Sequence, residues 1–256
     1  MKNLFSVEGK VAIVTGGSRG IGAMIARGFV ENGVKTYITA RKEEELRATE
    51  SELSELGQCI AIPADLSTLD GVSAFAAAVM AQEARVDILV NNAGATWGAE
   101  IDEFPESGWD KTMDLNVKSL FFLTQKMLPA LRQAGSTDDP ARVINIGSVN
   151  GMRHPHMTNY AYSASKAAVH QLTAHLGADL APHGINVNGI APGFFPSKMT
   201  AHMLPHEAEM SAGIPCRRLG NAEDAAGTAI YLCSRASAWV TGQMIVLDGG
   251  LVANAG

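Results

Sequence analysis

The sequence of 256 residues has few of the residues that mark a disulfide scaffold or a metal site, since it contains three cysteines. Cys59, Cys216 and Cys233 lie far apart, without the paired spacing of zinc ligands or of a disulfide framework. Each is predicted to be a buried thiol in a protein of a reducing compartment, which we take to be the cytoplasm. We expect no metal site.

The sequence also lacks a basic run and a long apolar one. Its formal net charge is −6, and no cluster of Lys and Arg stands out, which argues against a nucleic-acid partner. The N-terminal segment Met1 to Glu8 contains no long apolar core. The most apolar later stretch, residues 117–131, is interrupted by Lys118, Lys126 and Pro129. We therefore expect neither export nor membrane insertion.

No break in composition and no internal repeat divides the chain, so residues 1–256 are predicted to form a single domain. Short apolar segments alternate with helical ones, which predicts an α/β fold with a doubly wound, mainly parallel seven-stranded sheet and helices on both faces. The predicted strands are 10–15, 34–40, 58–64, 86–90, 142–147, 185–190 and 244–247. Six helices are predicted, among them 21–32, 43–56, one from 103 or 105 to 131, and 223–235.

Tyr162 and Lys166 have the spacing of a proton-transferring pair. They stand four residues apart near the start of a predicted helix, so both side chains lie on one face about one turn apart. An unperturbed phenol has a pKa of ~10, and a nearby ammonium is expected to pull that pKa toward neutrality. Tyr160 has no such partner, because Ala164 stands four residues after it. The alternative is a chance pair on an exposed helix face.

Ser148 follows the predicted strand 142–147 and is expected at the carboxyl end of that strand. Open α/β sheets hold their ligands at this end. One strand, one loop and one helix start therefore carry Ser148, Tyr162 and Lys166, which are the candidate catalytic residues.

A glycine-rich turn follows the first predicted strand and precedes the first predicted helix. Its spacing is Gly16-x-x-x-Gly20-x-Gly22, with Ser18, Arg19 and Ile21 between the glycines, and it departs from the G-x-G-x-x-G pattern. Glycines let backbone N–H groups approach a pyrophosphate, and a helix N-terminus favours an anion. The context of strand, turn and helix predicts a dinucleotide site, and an ordinary loop is the alternative.

The end of the second predicted strand favours NADP(H) over NAD(H). NAD-binding folds place an acid near this position, whereas this chain has Ala40 followed by Arg41. With Arg19 in the glycine turn, two guanidinium groups without a competing carboxylate suit a 2′-phosphate. The alternative is that Arg41 caps a strand end and Arg19 is simply solvated.

Polar and small residues mark the ends of the next strands. Asp65 follows the third strand, where it can accept a hydrogen bond from an adenine amino group or cap the helix that begins near Thr68. The small residues of Asn92-Ala93-Gly94 let the backbone pass close to a ribose, whereas Asn91 is expected to join neighbouring strands. Asn116 lies within a predicted helix, where a lone Asn is usually a satisfied polar group.

These motifs occur in the order and spacing of the short-chain dehydrogenase/reductase family, which the chain resembles over nearly its whole length. The matching residues are Thr15-Gly16 to Gly22, Asp65-Leu66, Asn91 to Gly94, Asn116, Ser148, Tyr162 to Lys166, and Pro192-Gly193. The resemblance implies a Rossmann-type fold. The segments 144–149 and 192–197 resemble NADPH-dependent 3-oxoacyl reductases, particularly the branch associated with rhamnolipid synthesis.

The resemblance also implies roles for the site residues. Hydride passes between the nicotinamide and a carbonyl carbon while Tyr162 delivers a proton and Ser148 holds the same oxygen. Lys166 acts on the phenol and on the nicotinamide ribose, and Asn116 positions a water that supplies protons to Lys166. The implied cofactor contacts come from Gly16, Ser18, Arg19, Gly20, Ile21, Gly22, Arg41, Asp65, Leu66, Asn92, Ala93, Gly94, Tyr162, Lys166, Pro192, Gly193 and Ser197. Related reductases form homotetramers, so a homotetramer is implied here.

Two segments of the sequence leave alternatives open. Residues 194–218 are rich in Met and Phe and are interpreted either as a mobile lid over an apolar ketone or as a subunit contact. The gap between Ser148 and Tyr162 is one residue longer than is usual in the family, and it carries His154, Pro155 and His156. Two other functions are alternatives. A sugar or polyol dehydrogenase, such as a gluconate dehydrogenase, shares these motifs. A non-catalytic NADP(H)-sensing protein would keep the fold but would be expected to lose Tyr162 or Lys166, and both are present here.

Overall fold

The computed structural model describes residues 2–154, 157–196 and 207–254. Seven strands in these ranges form one sheet, and every neighbouring pair is parallel. The strands are β1 (Val11–Thr15), β2 (Lys35–Thr39), β3 (Cys59–Ala61), β4 (Ile88–Asn91), β5 (Ala141–Ile146), β6 (Ile185–Pro192) and β7 (Met244–Leu247). Their order in the sheet is β3-β2-β1-β4-β5-β6-β7. The predicted parallel, seven-stranded Rossmann-type architecture is confirmed.

Eight α-helices connect or flank these strands in the described ranges. They are α1 (Gly20–Glu31), α2 (Glu43–Ser54), α3 (Leu69–Met80), α4 (Glu106–Met113), α5 (Ser119–Ala134), α6 (Tyr160–Leu180), α7 (Glu207–Gly213) and α8 (Ala222–Cys233). A π-helical segment, Asp114–Lys118, joins α4 to α5. Within the described part of the chain, no helix combines the length and the apolar character that crossing a membrane requires.

The central strands are apolar on both faces because helices cover both sides of the sheet. Alternate residues of β1 show this directly. Ala12 and Val14 join a core with α1, α2 and α8, whereas Ile13 joins a second core with α3 and α5. The side-chain amide of Asn91 links two elements inside these layers, because its Nδ2 donates to Asn145 Oδ1 of β5 at 2.9 Å and to Thr124 Oγ1 at 3.0 Å. The expected role of Asn91 in joining neighbouring strands is confirmed.

The direction of winding reverses between β1 and β4. From β1 the chain proceeds outward through β2 and β3, whereas β4 lies on the other side of β1 and leads toward β7. In such sheets the loops leave β1 and β4 in opposite directions and open a crevice at the carboxyl ends of the strands. The glycine turn after β1 and Asn92 to Gly94 after β4 border this crevice.

The single helix predicted from residue 103 or 105 to residue 131 is the first of two differences between the predicted and the observed elements. It is divided into α4, the π-helical segment and α5, and it extends to Ala134. Trp109 of α4 has 43% of its surface exposed, whereas Leu115 and Leu123, which follow it along the chain, are buried. A π-bulge adds a residue to one turn and changes the faces that follow, which a uniform 3.6-residue pattern cannot anticipate.

The second difference lies in residues 194–218, which were predicted to be a loop. They include α7, and Phe195 and Ile214 on either side of it are buried. A Cβ added at Gly220 would lie 2.3 Å from Phe195 Cζ, so the ring packs directly against that backbone. Phe195 is thus a packed wall residue. Met199, Met203 and Leu204, which motivated the lid prediction, lie outside the described residues.

Candidate active site

The carboxyl ends of the strands surround a groove of about 480 Å³. It is lined by residues from both halves of the sheet. Of the predicted site residues, Gly16, Ser18, Arg19, Gly20, Ile21, Arg41, Leu66, Asn92, Ala93, Gly94, Ser148, Tyr162, Lys166, Pro192 and Gly193 line it. Gly22, Asp65 and Asn116 are not among the lining residues, and Ser197 lies outside the described part of the chain. The sequence thus identified most of this wall.

The glycine turn is shaped by left-handed backbone at Gly16 and Gly20, whose φ angles are +63° and +55°. Gly22 serves a different purpose. A Cβ there would lie 2.3 Å from the Gly16 carbonyl oxygen and 2.4 Å from Asn92 Nδ2, so only glycine lets α1 approach the turn. Asn92 Nδ2 donates to the carbonyl oxygens of Thr15 and Gly16 at 2.8 and 3.2 Å. These contacts hold the turn so that the N-terminus of α1 borders the groove, where its backbone N–H groups suit a pyrophosphate.

The end of the groove beside β2 holds a carboxylate that the sequence prediction did not include. Arg19 Nη1 donates to Glu45 Oε2 at 2.7 Å, and Lys42 Nζ donates to Glu45 Oε1 at 2.9 Å. The expectation of two guanidinium groups without a competing carboxylate is therefore wrong. Glu45 stands 26 positions after Arg19, and only the packing of α2 beside the glycine turn brings them together. Three cations and one carboxylate line this end, counting Arg41.

Asp65 accepts hydrogen bonds from the backbone N–H and the hydroxyl of Ser67, at 3.0 and 2.7 Å. Burial raises the pKa of Asp65, but these hydrogen bonds and the charge of Arg41 bring that pKa below its usual value. The helix that follows is capped by Thr68, whose hydroxyl accepts from the Gly71 N–H at 3.1 Å. The alternative in which Asp65 caps that helix is therefore wrong.

Ser148, Tyr162 and Lys166 come together where β5 ends and α6 begins. The side chains of Ser148 and Tyr162 are hydrogen-bonded to each other. Lys166 Nζ donates to the Ile146 carbonyl oxygen at 2.7 Å and lies 5.5 Å from the centroid of the Tyr162 ring. The three polar groups thus face one point of the groove, on backbone that is fixed by the sheet and by a 21-residue helix.

The direction of the Tyr162 pKa shift differs from the one that the sequence predicts. Burial raises the pKa of Tyr162, and the hydrogen bond with Ser148 opposes that rise. Burial lowers the pKa of Lys166 from 10.5 to about 8. The sequence predicted that Lys166 would pull the phenol pKa down, but the net direction is upward. The ammonium is tied to Ile146 and lies over the ring, and the group that directly opposes the rise is the Ser148 hydroxyl.

Asn116 is buried in the π-helical segment with both ends of its amide engaged. Its Oδ1 accepts from the Ala95 N–H at 2.8 Å, and its Nδ2 donates to the Ala95 carbonyl oxygen and to Ser165 Oγ at 3.0 and 2.9 Å. A Cβ at Gly94 would lie 3.3 Å from Asn116 Oδ1 and 3.8 Å from Lys166 Nζ. Asn116 therefore anchors the loop after β4 to α6, and it lies beside the same glycine as Lys166.

Two further groove residues, Thr96 and Lys111, lacked a signal in the sequence. Both residues line the groove, and Lys111 Nζ lies 5.0 Å from the Trp97 ring centroid. Trp97 in turn fills the space beside Gly108, where a Cβ would be 2.6 Å from the indole. A positive charge held by an aromatic ring thus stands at the groove wall. Periodicity on α4 can place Lys111 on a face but cannot show what that face meets.

Residues 10–208 match the family model described as short chain dehydrogenase. Over 253 residues the chain is 50% identical to the 3-oxoacyl-acyl-carrier-protein reductase of rhamnolipid biosynthesis from Pseudomonas aeruginosa, covering 98% of this chain and 99% of that protein. It is 34% identical to gluconate 5-dehydrogenase of Gluconobacter oxydans over 97% of each chain. The solved Pseudomonas aeruginosa RhlG/NADP active-site complex has a TM-score of 0.94 and 49% identity, over 98% of this chain and 99% of that chain. The chain therefore belongs to the short-chain dehydrogenase family.

Proposed function

We propose that this protein is an NADP(H)-dependent oxidoreductase that reduces a ketone of the 3-oxoacyl type, or oxidises the corresponding alcohol. The observation that carries the proposal is the meeting of Ser148, Tyr162 and Lys166 at the groove that begins at the glycine turn. A proton donor, a hydrogen-bond donor and a cation at one point suit a carbonyl oxygen that gains negative charge. The bound nicotinamide supplies or accepts the hydride.

In this proposal Tyr162 gives its phenolic proton to the oxygen that develops negative charge. Its raised pKa keeps the phenol protonated at neutral pH, which suits the direction of reduction. Ser148 donates a hydrogen bond to the same oxygen and fixes its position. Lys166, still largely protonated at neutral pH with a pKa of about 8, places a positive charge behind the phenol and favours proton release.

The remaining wall residues fit a dinucleotide phosphate. The N–H groups at the start of α1 suit the pyrophosphate, and Arg19 and Arg41 suit the 2′-phosphate. Asp65, which stands between the wall residues Ala64 and Leu66, is proposed to bind an adenine amino group, and Lys166 is proposed to bind the nicotinamide ribose. Asn116 is proposed to position the water that supplies protons to Lys166, since Asn116 Oδ1 and Lys166 Nζ both lie beside Gly94. Pro192, Gly193 and Ser197 are proposed to face the nicotinamide, whose carboxamide suits the Ser197 hydroxyl.

The substrate class rests on the relative that is 50% identical, a 3-oxoacyl-acyl-carrier-protein reductase. Phe195 and Leu115 give the groove an apolar wall that suits an acyl chain. One observation favours a second candidate, the oxidation or reduction of a sugar acid. Lys111 places an ammonium at the wall, which suits a substrate carboxylate, and a gluconate 5-dehydrogenase is a relative at 34% identity.

The test is a kinetic survey at the reduced-nicotinamide absorbance band. Purified protein is mixed with NADPH or NADH and with 3-oxoacyl thioesters, diketones, or 5-ketogluconate. We expect the highest kcat/KM with a 3-oxoacyl thioester and NADPH. A higher value with the keto-sugar acid would select the second candidate. Tight NADPH binding without turnover of any of these substrates would instead indicate the non-catalytic sensor.

We propose a homotetramer in which α6 and the segment around β7 contact other subunits. β7 is paired on one side only, Val246 is 39% exposed, and Trp239 nearby is fully exposed. Ala167 and Ala174 are exposed on α6 and allow close helix contact, whereas Val169 is part of the subunit's own core. Light scattering tests the assembly, and a monomer at assay concentration would contradict it.

The lid and the location are also proposals. We place a substrate lid at about residues 194–218, with Phe195 and Ile214 as its fixed base. Protection of this segment from proteolysis by NADPH and substrate would support a lid, and equal cleavage with and without ligands would not. A cytoplasmic location fits the buried free thiols of Cys59 and Cys233. Cys216 was also expected to be buried, but it is exposed.

A further inference from the structure

His170 lies directly beneath the backbone of Ser148. It stands four residues after Lys166 on α6, so its side chain continues the face that carries Lys166 along the helix. Its Nε2 accepts a hydrogen bond from the backbone N–H of Ser148 at 3.4 Å. The imidazole thus joins α6 to the turn that leaves β5, and it does so at the residue that bears the proposed catalytic hydroxyl.

Two glycines on either side of Ser148 make room for this imidazole. A Cβ at Gly147 would lie 2.4 Å from His170 Nε2, and a Cβ at Gly151 would lie 2.9 Å from His170 Cε1. Real Cβ atoms do not come so close, so any other residue at Gly147 would displace the ring or the backbone. The turn and the imidazole therefore fit each other, and His170 has little freedom to leave the Ser148 N–H.

We propose that His170 is a positioning residue, which holds the main chain at Ser148 and thereby aims the Ser148 hydroxyl at the substrate oxygen. The inference rests on the proposed function, because it assigns His170 a role through Ser148. Ser148 Oγ is held on its other side by the Asn150 N–H at 3.2 Å and by its bond with Tyr162. Rate depends steeply on such placement, since a displacement of about 1 Å can lower it ~100-fold.

The role requires a neutral imidazole. Burial and the positive charge of Lys166 both lower the pKa of His170, so the neutral form dominates at neutral pH. The imidazole meets Gly147, Ser148 and Gly151, which carry no charge, and the uncharged Met244 of β7 lies beside Gly147. Protonation would turn Nε2 from an acceptor into a donor facing another donor. The hydrogen bond would then be lost and the turn displaced.

Two substitutions of His170 separate the hydrogen bond from simple packing. His170→Met fills similar space without the acceptor, and His170→Gln supplies an acceptor oxygen near the position of Nε2. We expect His170→Met to lower kcat about tenfold, as the loss of ~1.4 kcal/mol implies, with an unchanged Kd for NADPH. His170→Gln should recover a large part of that loss. His175→Gln, at an exposed position of the same helix, is the control.

A double-mutant cycle with Ser148→Ala decides whether His170 acts through Ser148. We expect His170→Met to change the residual rate of Ser148→Ala less than twofold, against tenfold in the parent. In the parent, kcat for reduction should fall as the pH drops through the lowered pKa of His170, and this acid limb should be absent in His170→Gln. An equal tenfold effect in both backgrounds, or an unchanged acid limb, would overturn the proposal.

The same variants distinguish a failure of the proposed function from a failure of the inference about His170. Full activity of Ser148→Ala would refute the proposed catalytic role of Ser148 and the inference with it. Loss of activity in Ser148→Ala together with parental kinetics in His170→Met would refute the inference alone. A lowered Tm of His170→Met with proportional loss of NADPH binding would indicate a structural role and would likewise count against positioning.

Discussion

Arg19 and Glu45 form a salt bridge at the end of the groove beside β2, with 2.7 Å between Nη1 and Oε2. Side chains in this pair are 50% and 37% exposed, so the bridge itself adds little stability. The pair matters for cofactor binding, because the Glu45 carboxylate engages the guanidinium that is proposed to bind the 2′-phosphate. Lys42 contacts the same carboxylate at 2.9 Å. Glu45 is therefore expected to weaken the selectivity for NADPH that is proposed for Arg19 and Arg41.

We predict that Glu45→Gln lowers the KM for NADPH roughly two- to tenfold and leaves the KM for NADH nearly unchanged. The amide removes the repulsion of the phosphate and frees Arg19. Glu43→Gln is the matched control, because Glu43 lies on the same turn, pairs with Arg47 and does not line the groove. Steady-state kinetics with both cofactors measures the effect. A higher KM for NADPH would mean that Glu45 instead holds Arg19 in its binding position.

The change Ala40→Asp with Arg41→Ala is predicted to reverse the cofactor preference. An acid at the end of β2 repels the phosphate and can accept a hydrogen bond from the ribose hydroxyl of NADH. A charge-assisted hydrogen bond contributes about 1.5 to 3 kcal/mol before desolvation, or one to two orders of magnitude in affinity. The measurement is kcat/KM with both cofactors for parent and variant. Equal use of NADH and NADPH by the parent would defeat the argument.

Tyr162→Phe is predicted to reduce turnover at least 1,000-fold while cofactor affinity stays within about twofold. The ring remains in place, and the proton and the bond with Ser148 are lost. Tyr160→Phe is the control, since Tyr160 lies on the same helix with 39% of its surface exposed and packs edge-on against Phe104. NADPH affinity is measured by fluorescence titration. Substantial residual activity would contradict the assignment of Tyr162 as proton donor.

The sequence was sufficient to predict the strands and helices that recur along the chain and the motifs whose residues have a fixed local spacing. Apolar runs identified all seven strands, and the four-residue spacing of Tyr162 and Lys166 placed both on one face of α6. The glycine turn was likewise readable, because Gly16 and Gly20 mark left-handed backbone. Such features depend on neighbours within a few residues, so composition and periodicity suffice to find them.

Contacts between distant segments could not be predicted in this way. Glu45 meets Arg19, and His170 meets Ser148, only because separate elements pack side by side. The direction of the Tyr162 pKa shift has the same origin, since burial by the whole fold raises that pKa by more than the hydrogen bond with Ser148 lowers it. The π-helical segment was not predicted, because the hydrogen bonds of its Asn116 side chain join it to Ala95 and Ser165, which are distant in the sequence.

The buried ammonium of Lys166 provides the last prediction, which concerns stability. Its pKa is lowered from 10.5 to about 8 in the folded protein, so the unfolded chain binds this proton more tightly. The charge thus destabilises the fold fully below pH 8, and the penalty is relieved as the pH rises from about 8 to 10.5. Lys166→Met should therefore raise the free energy of unfolding by about 1 to 3 kcal/mol at pH 7.

The same variant should lose turnover and bind NADPH more weakly, since the ammonium is proposed to contact the ribose as well as the phenol. Urea unfolding at pH 7 and at pH 10 measures the stability, and the gap between variant and parent should shrink at the higher pH. Lys126→Met, at an exposed position of α5, controls for the removal of a positive charge. A Lys166→Met protein that is less stable than the parent at pH 7 would show that the bond from Nζ to the Ile146 carbonyl outweighs the burial of the charge. Unchanged NADPH affinity would separately remove the ribose contact from the role of Lys166.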